Sequence, residues 1–184
     1  MRVIAGSAGG IHLKFPKGAP TRPATDLVRG ALFSILENMS LNWDNVLDLF
    51  SGTGAMGIEA LSRGANSVDF VDRDRRCCAI IKENLEAARL AEKAHVHCTS
   101  VARALSFLDK EYDIIIMDPP YPDTSIGNVI EQLAVSKLVG DTTTLVVTHS
   151  PHLQLSSKFS GLNQVLERRH GDSIIAIYQK EAQA

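Results

Sequence analysis

The 184-residue chain has little of what marks several protein classes. No apolar run reaches the ~18 residues of a membrane span, and the N-terminus carries a lone Arg2 and no signal-peptide core. The expected location is therefore the cytoplasm. Cysteines number three, an odd count that agrees with a reducing compartment. Cys77 and Cys78 adjoin in a helical stretch and Cys98 ends a strand, without the C-x-x-C spacing of a zinc or redox site. Among six histidines, His95 and His97 alternate onto one strand face with no third ligand, so no metal is assigned. Repeats and low-complexity tracts are absent too. What remains is globular, with 45% hydrophobic and 22% charged residues, a length suited to one core.

The net charge of −2 argues against a nucleic-acid partner until its distribution is read. Residues 1–29 carry Arg2, Lys14, Lys17, Arg22 and Arg29 against Asp26 alone, a local +4. That is a basic footprint of the kind nucleic acids select, and equally the charge of a solvated arm. Residues 2–5 and 11–15 read as two short strands around Gly6-Ser7-Ala8-Gly9-Gly10, a hairpin too small to be stable alone. Pro16, Gly18, Pro20 and Pro23 then make a stiff linker. The organisation expected is an extension over 1–24 followed by one domain over 25–184.

A helix starts at Thr25, a suitable N-cap, with Asp26 favoured by the helix dipole. Leu27, Val28, Ala31, Leu32, Ile35, Leu36 and Met39 form its core face, and Gly30 interrupts it. From residue 46 strands (46–50, 67–72, 94–99, 112–118, 143–149) alternate with helices (55–63, 74–91, 101–109, 124–138). The near-continuous apolar strands predict a parallel sheet covered on both faces. Residues 164–170 and 173–180, joined by Gly171-Asp172, predict a closing antiparallel hairpin. The fold class is α/β, a Rossmann-like, mostly parallel seven-stranded sheet with a C-terminal antiparallel hairpin and a small N-terminal β-hairpin.

Val46-Leu47-Asp48-Leu49-Phe50-Ser51-Gly52-Thr53-Gly54 is a buried strand running into a glycine turn, with a helix behind it. Gly52 to Gly57 also spells G-x-G-x-x-G, the dinucleotide fingerprint. A carboxylate just before the turn would repel a pyrophosphate but suits an α-ammonium or sulfonium, and so favours S-adenosylmethionine. Asp48, Ser51, Gly52, Thr53 and Gly54 are the candidate cofactor contacts. Asp72, beside Arg73 at the end of the next strand, is placed to bond ribose hydroxyls. Ser100, ending the third strand, is a candidate adenine contact. Asp69 is read as a solvent-side residue.

Asp118-Pro119-Pro120-Tyr121 follows the apolar stretch 112–117. The prolines fix the backbone just past the strand, and the Asp118 carboxylate with the Pro119 carbonyl forms a pair of acceptors for an –NH2 group. Tyr121 offers a face for stacking a base, which must be turned out of a folded nucleic acid to reach it. Asp118, Pro119 and Tyr121 are the candidate catalytic residues.

With these pieces, Arg2-Val3-Ile4-Ala5-Gly6, Arg22-Pro23-Ala24-Thr25-Asp26, Val28-Arg29 and Gly57-Ile58-Glu59-Ala60-Leu61-Ser62-Arg63-Gly64 complete a pattern. The chain resembles the RsmD-type guanine-N2 methyltransferases of bacterial 16S ribosomal RNA. The resemblance implies an S-adenosylmethionine-dependent fold, catalysis by Asp118, stacking on Tyr121, and an N-terminal extension that grips rRNA. It implies that Thr25, Asp26 and Arg29 lie by the methionine end of the cofactor. The RNA-binding candidates are Arg2, Lys14, Lys17 and Arg22. A monomer acting on 16S rRNA within a small-subunit assembly intermediate is expected. This sequence departs from the family in its less basic turn at residues 7–10, in Gly30, in Asp72, and in Ser100-Val101. Two other readings are an adenine-N6 DNA methyltransferase, for which no target-recognition domain is present, and a non-catalytic ribosome-assembly factor.

Overall fold

The computed structural model describes residues 1–16 and 25–181. In chain order the elements are α1 (Asp26–Asn38), β1 (Asn45–Leu49), α2 (Ala55–Ser62), β2 (Ser67–Asp72), α3 (Arg75–Ala88), β3 (Ala94–Cys98), α4 (Val101–Phe107), β4 (Ile114–Met117), α5 (Ile126–Ala134), β5 (Thr144–His149), β6 (Lys158–Phe159), β7 (Leu162–His170) and β8 (Ser173–Lys180). They build one eight-stranded sheet in the order β3-β2-β1-β4-β5-β8-β7-β6. β1 to β5 run parallel, and β8, β7 and β6 continue the sheet antiparallel. The strand beyond the expected seven, β6, has only two residues, too few to show any alternation. The order reverses between β1 and β4, which opens a crevice beyond their carboxyl ends.

Each face of the sheet has its own core. Val46, Val68, Phe70, Ile114 and Ile116 pack with Leu32, Phe33 and Leu36 of α1, Ile58 of α2 and Ile81 of α3. Leu47, Leu49, Val71, Ile115, Met117 and Val147 pack with α4 and α5. Period-2 alternation along β1, β2 and β4 thus feeds both cores, which is why these strands read as continuous apolar runs. Gly57 lets α2 lie close on β2: a Cβ there would stand 2.3 Å from the Phe70 ring. In α1 the Thr25 hydroxyl accepts from the Val28 amide at 3.3 Å. Leu27, expected on the core face, is 71% exposed, because it sits in the first turn, on the side away from the sheet-facing stripe of Val28, Leu32 and Leu36.

Two further expectations are corrected. The N-terminal strands reduce to a single antiparallel bridge, Arg2 to His12, flanked by bonds from the Val3 amide to the Ile11 carbonyl and from the Leu13 amide to the Met1 carbonyl. The segment leans on the body of the protein, as a hairpin too short to be stable alone must. Val3, Ala8 and Leu13 enter the α1–α3 core, and the buried Glu59 carboxylate accepts from the Ile4 and Ala5 amides at 2.8 and 3.0 Å. Asp69, read as solvent-side, is buried on the other face. It accepts from the Tyr112 hydroxyl at 2.9 Å, pairs with Lys110 Nζ at 2.8 Å and meets His97 Nε2 at 2.7 Å. Burial alone would raise its pKa, but the bonds from Lys110, His97 and Tyr112 prevail and hold it below the ordinary carboxylate value. In a sheet covered on both sides, no position of a central strand faces water.

Candidate active site

The glycine turn is built from left-handed backbone. Phe50, Gly52 and Gly54 have φ of 59°, 56° and 77°, a region glycine enters freely and Phe50 enters at some strain. Ser51 is buried and staples the turn to β2: its hydroxyl bonds the Asp48 carbonyl at 2.6 Å and accepts from the Val71 amide at 3.0 Å. Asn84 of α3 braces the far side, donating to the Thr53 carbonyl at 2.9 Å and accepting from the Lys14 amide at 2.8 Å.

Asp48 is fully buried. One carboxylate oxygen accepts from the Gly57 amide at 2.9 Å, while the other, Oδ1, is buried with no hydrogen-bond partner among the described residues. Burial pushes its pKa up to about 8, the Gly57 amide opposing and Asp118 and Asp72 adding to the rise. Asp72 accepts from the Gly52 amide through Oδ2 and from the Asp74 amide through Oδ1, both at 2.8 Å.

Register brings these acids together. Asp48 is level with Phe70 of β2 and Ile116 of β4. Two residues further along, on the same face, come Asp72 and Asp118. They stand two strand spacings apart, about 10 Å, on either side of the glycine turn. Asp118 in turn accepts from the Thr148 hydroxyl of β5, and the Tyr121 hydroxyl donates to Ser173 Oγ at 2.5 Å. Pro119 is buried and Pro120 exposed. Burial raises the Tyr121 pKa, with the Ser173 bond opposing, so the phenol stays protonated.

The remaining candidates are placed as follows. Arg29 is 0% exposed. Its Nη2 donates to the Arg2 carbonyl and to Asp26 Oδ1, the latter at 3.2 Å, and its Nε lies 3.8 Å from Glu59. Thr25 caps α1. Ser100 is exposed and caps α4, accepting from the Arg103 amide at 3.3 Å. Arg73 is exposed just past β2. Arg2 is exposed, and Lys14 pairs with Glu83 at 2.8 Å. Lys17 and Arg22 lie outside the described residues. Thr148, Ser173, Glu59 and Asn84 are site or scaffold residues that sequence reasoning missed. No group of His, Cys, Asp and Glu among the described residues is arranged to hold a metal, and no described helix is long and apolar enough to cross a membrane.

An open sheet with an acid-flanked glycine turn at its reversal point and an Asp-Pro-Pro-Tyr box beside it defines a Rossmann-like methyltransferase fold. The family described as Conserved hypothetical protein 95 matches residues 1–179. The chain is 33% identical to the Bacillus subtilis putative rRNA methyltransferase YlbH over 98% of this chain and 99% of that protein. It is 28% identical to the Escherichia coli ribosomal RNA small subunit methyltransferase D, covering 100% of this chain and 91% of the relative. Among solved structures, a putative methyltransferase yhhF from Escherichia coli superposes with a TM-score of 0.84 at 28% identity, over 100% and 99% of the two chains. The chain belongs to the RsmD-type methyltransferase family.

Proposed function

We propose that this chain transfers a methyl group from S-adenosylmethionine to the exocyclic N2 of a guanine in 16S rRNA, the base being turned out of the folded RNA. The observation that carries the reading is the single row of acids across the crevice, with Asp72 and Asp48 on the glycine-turn side and Asp118 in its box on the other. The cofactor fits on two counts. Asp48 Oδ1 is a buried acceptor without a described partner, suited to a cationic methionine end, and no atom of the described residues lies within 4 Å of where a Gly52 Cβ would stand. When bound, the cofactor supplies an electrophilic methyl on a sulfonium.

Thr25 flanks its methionine end in this reading, with the enclosed Arg29 bracing α1 and the Arg2 carbonyl behind it rather than touching the ligand. Ser51, Thr53 and Gly54 shape the turn beneath it, Asp72 with Arg73 receives the ribose, and Ser100 borders the adenine. The guanine amine is a poor nucleophile because its lone pair is shared with the ring. Asp118 and the Pro119 carbonyl accept hydrogen bonds from its two N–H groups and draw the nitrogen toward tetrahedral geometry. They stabilise the positive charge that develops as the N–C bond forms and the S–C bond breaks, until one N–H proton is lost to solvent. Tyr121 holds the base by stacking. Residues 1–24 act as an RNA-gripping extension through Arg2, Lys14, Lys17 and Arg22, and 25–184 as the catalytic domain. The protein works as a monomer in the cytoplasm, on an assembling small subunit whose ribosomal proteins complement the modest basic surface.

The test mixes the protein with labelled S-adenosylmethionine and either unmodified small-subunit particles, free rRNA or an adenine-containing DNA duplex, and maps the product by mass spectrometry. Label on a guanine N2 of the rRNA is expected. Label on DNA adenine would favour the adenine-N6 reading, and binding without label a role in assembly alone.

A further inference from the structure

The box is held by groups that lie far from it in sequence. In register Met117 faces Val147, so Asp118 and Thr148 are the next residues up on neighbouring strands. Thr148 is 0% exposed and Ser173 8%, and buried hydroxyls are expected to be hydrogen-bonded. The Thr148 hydroxyl donates a hydrogen bond to Asp118 Oδ1, and Ser173 Oγ accepts one from the Tyr121 hydroxyl at 2.5 Å. Thr148 pairs with Ile175 of β8, the strand that Ser173 opens. The two hydroxyls are therefore carried on one rigid antiparallel pair.

That arrangement addresses a specific weakness of an aspartate. Its terminal torsion is soft and broadly populated, so packing alone does not fix the plane of the carboxylate. A donor on one oxygen does. The Tyr121 ring has alternative χ1 wells and a broad χ2, and a bond at its hydroxyl end selects among them. We infer that Thr148 and Ser173 are positioning residues for methyl transfer: Thr148 sets the plane of the Asp118 carboxylate and Ser173 the angle of the Tyr121 ring. The C-terminal antiparallel strands then belong to the base-holding apparatus as well as to the sheet. This rests on the roles given above to Asp118 and Tyr121.

The test compares Thr148→Val, which removes the hydroxyl at nearly constant volume, with Thr148→Ser, which restores it, and adds Ser173→Ala. Steady-state transfer to rRNA, cofactor binding by calorimetry and thermal unfolding are measured on each. Thr148→Val should lower kcat on the order of 10²-fold, the scale set by misplacing a reacting group by about 1 Å. Its cofactor Kd should stay within about 3-fold, and Thr148→Ser should recover most of the lost kcat. Ser173→Ala should act mainly on KM for RNA, raising it by roughly 5- to 10-fold, on the order of one lost hydrogen bond.

Wild-type kcat in Thr148→Val overturns the inference. So does a loss that tracks the folded fraction or cofactor affinity, or one that serine fails to recover in a folded protein. A wild-type protein that binds cofactor but labels neither rRNA nor particles would instead defeat the proposed reaction, and this inference with it.

Discussion

The two halves of the crevice hold their acids by different means. On the β1–β2 side the donors are main-chain amides, Gly57 for Asp48 and Gly52 and Asp74 for Asp72. On the β4–β5 side a side-chain hydroxyl from a distant strand, that of Thr148, donates to Asp118, and the Ser173 hydroxyl accepts from Tyr121 beside it. An amide donor survives any substitution except proline, provided the turn keeps its shape. A hydroxyl donor disappears with one substitution. The glycine-turn half is therefore specified by backbone geometry, and the box half by the identity of a few side chains.

If the halves are chemically separate, Asp118→Ala should divide them. Transfer is expected to fall on the order of 10³-fold, the scale of removing an electrostatic stabiliser of the transition state. Cofactor affinity, measured by calorimetry, should stay within about 3-fold. Cofactor binding that falls in step with transfer would show that the acids work as one cluster.

The backbone half is probed at Gly57, whose amide holds Asp48. A Cβ there would meet the Phe70 ring at 2.3 and 2.7 Å and Val68 Cγ1 at 2.9 Å, all on a central strand with no room to retreat. Gly57→Ala should destabilise the protein by about 3 kcal/mol in chemical unfolding, at the upper end of overpacking costs. A change below about 0.5 kcal/mol would mean that α2 rides freely over β2, and that its amide does not set Asp48.

This division also explains what was legible in the sequence. The glycine turn, the parallel strands and the acid at each strand end are local patterns, so β1 to β5 and the row Asp72, Asp48, Asp118 could be read from spacing. The box was read as a motif, but Thr148 and Ser173 lie 30 and 52 residues from their partners, and no local periodicity encodes such a contact. Asp69 shows the same limit. An acid inside an apolar run looks solvent-facing until Tyr112, Lys110 and His97, brought in by β4 and β3, are known to surround it. The alternation of His95 and His97 was the one trace of that cluster in the sequence. Arg29 presents as a conspicuous helical cation, and only the fold shows it enclosed between the Arg2 carbonyl, Asp26 and Glu59.

The glycine-turn half carries a pH signature of its own. With its pKa pushed up to about 8, chiefly by burial, Asp48 stays neutral in the free protein at pH 7. The unfolded chain, at the ordinary 3.8, releases that proton first. This group therefore withdraws stability as pH rises from about 4 to 8 and has no further effect above. A cationic ligand selects the ionised form, so its binding releases a proton below pH 8. Affinity for S-adenosylmethionine should rise on the order of tenfold per pH unit up to about 8 and then level off. Calorimetric titrations at pH 6, 7 and 8, in buffers of different ionisation enthalpy, read both the slope and the proton. Asp48→Asn should flatten the slope, and a pH-independent wild type would place the ammonium elsewhere.

The smallest effect comes from a glycine that no ligand explains. Gly30 lies mid-helix in α1, and among the described residues a Cβ there would meet only Ile4 Cδ1 at 3.7 Å, an ordinary contact. Unlike Gly57, it has room for a side chain, so its helix penalty is not offset by a close approach. Gly30→Ala should stabilise the protein by about 0.5–1 kcal/mol, through helix propensity and the lost freedom of the unfolded chain. Transfer activity should not change. Destabilisation instead would reveal that the N-terminal segment, which reaches α1 through Ile4 and the Arg2 carbonyl, presses on the helix more tightly than the 3.7 Å contact implies.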